Sequence, residues 1–311
     1  MSYPVKIIDI AETDELLQRY SSLPFYSSKA DIYGVCVKLY TLDHKNTDMW
    51  ADNFYSMSSN VRSHARLVCV DDPRTEMKVL YNIETRTAFL YNFDYYGWIK
   101  SIALAVASDI LEDSHNINHV HGAALDLGGH GVTLIAPSKT GKTTHSWGLL
   151  RIKNARLITD DWYFVRSEGG LPIALGSEKN CYIDADIGDV WEEYRPLVTS
   201  TKFDNKGRGI ANVRWVTGYG SVIPMTTIHH VILLRRDPKK KTVETLEPNE
   251  ALDYIRGDDL CNPHQIVRSE RKKRMREDFF RRFFGNSQVN LINTVGTPDE
   301  TQKIIRDIVL K

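Results

Sequence analysis

The period of apolar positions changes several times along the chain, and each change marks an element. Val5 to Ile10 reads as a strand and Asp14 to Tyr20 as a helix. Ile32 to Tyr40 and Arg66 to Val70 follow as β-rich apolar runs. Lys78 to Asn82 and Thr87 to Phe93, separated by Ile83-Glu84-Thr85-Arg86, read as a hairpin, although no Asn-Gly or Asp-Gly pair marks the turn. From Trp98 onward the apolar residues Trp98, Ile99, Ile102, Val106 and Ile110 recur at helical spacing. A helix therefore carries the chain into its second half. A domain boundary is expected beside it, between a smaller N-terminal α/β unit over residues 1–97 and a second domain over 98–311.

The second half contains Val132 to Ala136, Leu157 to Thr159, Trp162 to Val165, Ile228 to Leu234 and Val289 to Asn293. These short, β-branched runs suit strands buried in a sheet. The chain closes with Thr297-Pro-Asp-Glu300, a capping box with Pro at the first helical position. Ile304, Ile305, Ile308 and Val309 follow on one face, which predicts a C-terminal helix docked on the sheet. The charged stretch Asp237 to Thr242 reads as a hairpin tip or surface loop.

Composition narrows the classes of function. With 42% hydrophobic and 26% charged residues the chain is globular. Lys plus Arg and Asp plus Glu balance at 40 each, so no overall field favours nucleic acid or an anionic membrane as a partner. The N-terminus lacks the pattern of a secretory signal, and no apolar run is long enough to cross a bilayer. Cys36, Cys69, Cys181 and Cys261 are far apart and form no Cys-x-x-Cys pair. That spacing suits reduced thiols in a cytoplasmic protein better than a disulfide framework or a thiolate zinc site.

Three motifs carry chemistry. Gly131-Val-Thr-Leu-Ile135 reads as a strand, followed by the loop Ala136-Pro137-Ser138-Lys139-Thr140-Gly141-Lys142-Thr143 and a helix from Thr144 to Leu150. This is the context of a nucleotide phosphate-binding loop (P-loop, or Walker A). Residues Ser138 to Thr144 would surround the phosphates with backbone N–H groups. Lys142 would reach the β- and γ-oxygens, and the Thr143 hydroxyl would ligate Mg²⁺. Position 136 is Ala where the common pattern has Gly. The second motif, Leu157-Ile158-Thr159-Asp160-Asp161, is a strand ending in two acids, placed where parallel strands deliver groups to the phosphate site. One acid would hold the metal and the other serve the acceptor. The third is His119-Val120-His121-Gly122, whose two imidazoles share one face if the segment is a strand. No Cys or carboxylate follows closely enough to complete a tetrahedral set, so zinc is disfavoured. A packed or capping role is the ordinary expectation for either histidine alone.

The run His121-Gly-Ala-Ala-Leu, the loop with its strand, and Leu157-Ile-Thr-Asp-Asp-Trp162 together resemble the catalytic domain of HPr kinase/phosphorylase. They also resemble the nucleotide domain of phosphoenolpyruvate carboxykinase, which shares that fold and motif order. The resemblance covers about Val120 to Val165. It implies an α/β fold whose central P-loop sheet is of the HPr kinase and carboxykinase type. It also implies that His121 lies near the metal and the transferring phosphoryl group, that Lys142 and Thr143 bind phosphate and Mg²⁺, and that Asp160 and Asp161 supply between them an acceptor base and a metal contact, Asp161 being the candidate for the metal. Which acid is the base stays open. The glycine- and Asn-rich segment associated with phosphorolysis in the HPr enzyme has no counterpart here, and the first hundred residues do not resemble its partner domain. The chain is too short for a carboxykinase.

Two further segments are candidates for the acceptor side. Asp204 to Arg214 is a polar loop broken by glycines, and Arg208 or Arg214 is placed to neutralise charge at a transferring phosphoryl group, Arg208 being preferred for its flanking Gly207 and Gly209. Gly257 to Gln265 is a dense polar cluster whose Asn, His and Gln could contact a small hydroxylated acceptor. The basic stretch Val267 to Arg282, interleaved with phenylalanines, reads as a helix with a solvated face and a Phe-rich buried end rather than a nucleic-acid surface. The function expected is a cytoplasmic kinase using ATP and Mg²⁺ to phosphorylate a hydroxyl, on serine or threonine, free or in a peptide, or on a small alcohol. A homo-oligomer is allowed by the same resemblance. The alternatives are a nucleotide-sensing module without catalysis and a carboxykinase-type enzyme.

Overall fold

The structure is a computed structural model that describes residues 3–257 and 259–310. It divides into two compact units. The first comprises the chain up to Asn116 and the short segment Pro263–Arg268. The second comprises Ile117–Asn262 and the chain from Ser269. The helix expected to open the second domain belongs instead to the first unit, so the division falls after Asn116 and not at residue 97. Asn116 ends that helix in a left-handed conformation, φ 52°.

The first unit runs β1 (Val5–Ile7), α1 (Ile10–Arg19), β2 (Tyr26–Ile32), β3 (Val35–Thr41), α2 (His44–Asn53), β4 (Tyr55–Ser56), β5 (Ala65–Val70), β6 (Lys78–Asn82), β7 (Thr87–Tyr91) and α3 (Tyr96–His115). Its described strands form one mixed sheet in the order β1-β6-β7-β5-β3-β2-β4. The β6–β7 hairpin forms with Lys78 opposite Tyr91, as its apolar pattern predicts. Two local signals shift other boundaries. Asp9 caps α1 by accepting the Glu12 amide, so the helix starts at Ile10 and cuts the first strand short. Tyr33 and Gly34, both at positive φ, fold the expected Ile32–Tyr40 strand into a tight turn that pairs β2 with β3. Inside this unit Asp109 of α3 accepts the Tyr81 hydroxyl at 2.9 Å and pairs with Arg86, which ties the helix to the hairpin.

The second unit continues with β8 (Asn118–Leu127), β9 (Gly131–Ile135), α4 (Lys142–Leu150), β10 (Ala155–Thr159), β11 (Trp162–Glu168), β12 (Leu171–Gly176) and β13 (Cys181–Asp184). The short helices α5 (Ile187–Val190) and α6 (Arg195–Ser200) come next, then β14 (Arg208–Ala211), α7 (Arg214–Thr217), β15 (Met225–Arg235), β16 (Val243–Thr245), α8 (Pro248–Arg256), α9 (Glu270–Gly285), β17 (Gln288–Asn293) and α10 (Pro298–Val309). The capping box at Thr297 and Glu300 forms with both reciprocal hydrogen bonds. Its helix buries Ile305 and Val309 against the same core as β9 and α4.

In this unit β9, β15 and β17 lie side by side and parallel. β8 runs antiparallel to β9 on the other flank. The pairings β8–β11, β11–β12, β12–β15, β15–β9 and β9–β8 close into a ring of five strands. Both faces of its strands are covered by apolar side chains, which is why they read as continuous apolar runs rather than alternating ones. The stretch Asp237 to Thr242 is the surface loop from β15 to β16; those two strands pair with β17 and not with each other. Of the described helices, none is long and apolar enough to cross a membrane.

Candidate active site

The strand pairings bring the three motifs to one end of the sheet. β9 and β10 both run antiparallel to β8, and so parallel to each other, with β8 between them. The loop after Ile135 and the acids after Thr159 therefore leave the sheet at the same end, where β8 begins. β10 and β11 pair with β8 in one interrupted lane: Thr159 faces Ala124 and Trp162 faces His121. Asp160 and Asp161 occupy the break. Gly122 is required opposite this break, because a Cβ there would come within 2.8 Å of the Leu134 carbonyl oxygen on β9.

The loop adopts a conformation suited to anions. Lys139 and Gly141 have φ of 67° and 95°, and Thr140 between them does not share the positive sign. Such alternation turns successive N–H groups toward one concave side. Gly141 stands at the N-terminus of α4, where no side chain caps the helix among the described residues, so its first amides face outward with the positive end of the helix dipole. Two hydroxyls brace the loop: Thr140 donates to the Pro137 carbonyl at 2.7 Å, and Thr294, at the end of β17, donates to the Thr140 carbonyl at 2.9 Å. Ser138 and Lys139 are exposed at its tip. Thr143 is half-buried, and its hydroxyl makes no hydrogen bond among the described residues, which leaves it available to a ligand.

Lys142 and Asp161 meet across the gap between loop and acids, at 2.8 Å between Nζ and Oδ1. The same ammonium donates to the Asp160 carbonyl at 2.9 Å. Asp161 Oδ1 also lies 3.1 Å from His121 Nε2, while His121 Nδ1 lies 2.8 Å from the Cys261 carbonyl oxygen. A carbonyl only accepts, so Nδ1 carries a proton. For the Asp161 contact to be a hydrogen bond as well, Nε2 must donate, as in the imidazolium form. The two acids part company here. Asp160 is buried at 3% exposure, whereas the Asp161 carboxylate is 29% exposed and faces lysine and histidine.

His119 lies on the same face of β8 as His121, and both rings pack on Trp162. His119 stacks on the indole at 5.1 Å and 11°. It is buried, and its Nε2 receives Arg276 Nη1 at 2.7 Å and the Asn262 amide. It is a packed histidine that fastens α9 to β8. The apolar end of α9 forms as expected, with Phe279, Phe280, Phe283 and Phe284 buried. The helix also buries Lys272 and Arg276, which its basic pattern does not announce.

The polar segment 257–265 contributes Cys261 and Asn262, one to each histidine; its Asp258 lies outside the described residues. Asp259, Leu260 and Cys261 have φ of 54°, 53° and 53°. Left-handed backbone costs about 1–2 kcal/mol at each non-glycine residue, and at this site it aims the Cys261 carbonyl at His121. The dense Asn, Pro and Asp composition was the one sequence signal for this wall. Arg208 is not brought to the cluster. It lies on the two-stranded sheet of β13 and β14, pairs with Asp184 across it, and makes no bond to His121, Lys142 or Asp161 among the described residues. Burial pushes the Asp184 carboxyl above its ordinary range despite that guanidinium.

No family model matches the sequence, and no curated protein sequence matches it. Among solved structures the chain is similar to the Hpr(Ser) kinase/phosphatase from Coxiella burnetii at 17% identity, over 62% of this chain and 97% of that one, with a TM-score of 0.35. A likeness of that depth says nothing about chemistry, so the site has to be read from its own residues.

Proposed function

We propose that this chain is a cytoplasmic P-loop kinase of the HPr kinase and carboxykinase type, transferring a phosphoryl group from ATP, with Mg²⁺, to a hydroxyl on serine or threonine or on a comparable small alcohol. The observation that carries this is the shared position of Asp161, whose Oδ1 meets both the loop lysine and His121 although the three come from separate segments of the chain. A structural turn has no need of a lysine, a carboxylate and a histidine converging on the open end of a phosphate-type loop.

In this reading the loop amides and Lys142 hold the β- and γ-phosphates and neutralise the charge that spreads over the transferring group. The Thr143 hydroxyl and the Asp161 carboxylate are hard oxygen donors of the kind Mg²⁺ accepts. Among the described residues no group of three or more His, Cys, Asp or Glu side chains is arranged as a metal cage, which is compatible with an ion bound mainly through phosphates and water. When bound through the Thr143 hydroxyl and the Asp161 carboxylate, Mg²⁺ would withdraw charge from the phosphates. One acid of the pair, Asp161 by its exposure beside the loop, takes the acceptor's proton as the acceptor oxygen attacks the γ-phosphorus and the bond to ADP breaks. His121, anchored by Cys261, orients Asp161. With Arg208 engaged at Asp184, Lys142 is the protein cation at the transferring group.

The test is incubation of the protein with Mg²⁺ and, in turn, ATP, GTP, ADP or pyrophosphate, together with a metabolite and peptide library. Mass spectrometry should then show one acceptor gaining a single phosphoryl group. Tight nucleotide binding with no phosphorylated product would replace the kinase by the sensing module, and nucleotide-dependent phosphoenolpyruvate formation from oxaloacetate would replace it by a carboxykinase.

A further inference from the structure

We infer that Arg236 holds the non-transferred end of a bound nucleotide, the α-phosphate and nucleoside, on the flank of the loop opposite the acids. The inference rests on nucleotide binding at the loop, as proposed above.

Arg236 follows β15, the strand parallel to β9 on the side away from β8. The register places Leu233 opposite Ile135, so Arg235 and Arg236 lie level with the first residues of the phosphate loop. Thr294 links them physically. Its amide donates to the Arg235 carbonyl at 2.8 Å, its hydroxyl to the Thr140 carbonyl of the loop at 2.9 Å, and its own carbonyl accepts Arg236 Nε at 3.1 Å. The guanidinium is thus one residue removed from the loop backbone.

Arg236 is exposed, and Nε is engaged while both terminal nitrogens make no hydrogen bond or ion pair among the described residues. Its neighbour Arg235, by contrast, is paired with Glu244. The charge of Arg236 is felt at His145, whose ring lies next to Gly141. A planar guanidinium held by one nitrogen, with its outer edge free beside a phosphate loop, is suited to a phosphate or to the face of a base.

The strand order decides which end of the nucleotide it serves. Asp161, His121 and the Lys142 ammonium mark the reacting side, toward β8 and β10. Arg236 stands across β9 from them. A nucleotide whose γ-phosphate meets Lys142 and Asp161 has to leave the loop with its remaining part turned away from the acids. Contacts there stabilise ground state and transition state alike, so they change KM and leave kcat.

The experiment measures ADP and ATP dissociation constants by calorimetry for the parent, Arg236→Ala and Arg236→Lys, together with kcat, KM and melting temperature. Arg236→Ala should bind ADP about 10- to 100-fold more weakly, with KM raised to match and kcat within about twofold. Arg236→Lys should recover part of the loss. An unchanged ADP dissociation constant, or a melting-temperature drop of the same size in both variants without a binding change, would reduce Arg236 to a brace for Thr294 and overturn the inference. A fall in kcat at constant ADP affinity would overturn it too, by moving the residue to the reacting side. If the parent itself binds neither nucleotide, the loop assignment fails instead.

Discussion

Two histidines sit two residues apart on one face of one strand, pack on the same indole, and have opposite surroundings. His119 is enclosed by Arg276 and Asn262. His121 is open to the loop and meets a carboxylate that also meets Lys142. The strand and the ring are common to both, so the difference comes entirely from what the tertiary fold brings alongside. A donor pair from α9 and the 262 turn makes one a fastener, while an acid from the adjacent lane draws the other into a cluster with Lys142. The lesson is that a residue pattern places side chains on a face, and the neighbouring elements decide what the face does.

The largest effect should come from breaking the open cluster. In the proposed kinase, Lys142→Ala removes the cation assigned to the transferring group and should lower kcat by about 100- to 1,000-fold or more, with little change in melting temperature. Normal phosphorylation by that variant would end the kinase assignment. The two acids sharpen the same contrast. Asp161→Asn should cost more turnover than stability, because the amide keeps size but loses charge where lysine and histidine converge. Asp160→Asn, at a buried position, should show the reverse balance in paired kinetic and urea-unfolding measurements. Equal kinetic losses in the two variants would dissolve the distinction between them.

A third histidine extends the comparison into pH. His145, buried on α4 just behind Gly141, is pushed down to about 4 by burial, and the charge of Arg236 adds to that shift. An unfolded histidine titrates at about 6.5. Between those values the folded chain binds fewer protons than the unfolded one, so acid favours unfolding. The stability at stake is intact above about pH 6.5, declines as pH falls toward about 4, and levels off below that. It amounts to about 3 kcal/mol. Urea titrations across this window should show the decline in the parent and a flatter profile in His145→Gln. The smallest effect is expected at the closed end of the strand. His119→Ala should lower stability by about 2 kcal/mol through the lost Arg276 and Asn262 contacts, with kcat of the folded fraction changed less than in His121→Ala.

The segments that form the candidate site were legible in the chain. The loop is recognisable because its glycine, lysine and hydroxyl positions are local and must be contiguous to form a concave run of amides. The acids are recognisable because they end an apolar strand. The capping box at Thr297 and Glu300 is likewise local, since its reciprocal hydrogen bonds span three residues. Where the sequence misled, the missing information was also physical. Tyr33-Gly34 looked like strand interior because a positive φ at tyrosine carries no composition signal, and the turn became evident only with β2 paired to β3. Arg208 was favoured for its flanking glycines, yet those glycines serve the β13–β14 sheet, where a Cβ at Gly209 would meet the Lys202 carbonyl at 2.5 Å. Arg236 falls between the expected Ile228–Leu234 strand and the charged stretch from Asp237, and belongs to no motif.

The sequence by itself determined which groups could act on a phosphate: Gly141, Lys142 and Thr143 in one loop, Asp160 and Asp161 after one strand, and two histidines on one face. These are properties of short segments, set by backbone period and side-chain chemistry. Only the tertiary structure decided that Asp161 meets the lysine with its carboxylate and Asp160 with its backbone carbonyl, that His121 and not His119 joins them, that the Cys261 carbonyl fixes the imidazole, and that Arg236 rather than Arg208 borders the loop. Each of those outcomes depends on strand register and on which strands are neighbours. Pairing is set by burial summed over the whole sheet, and no local stretch of sequence carries that sum.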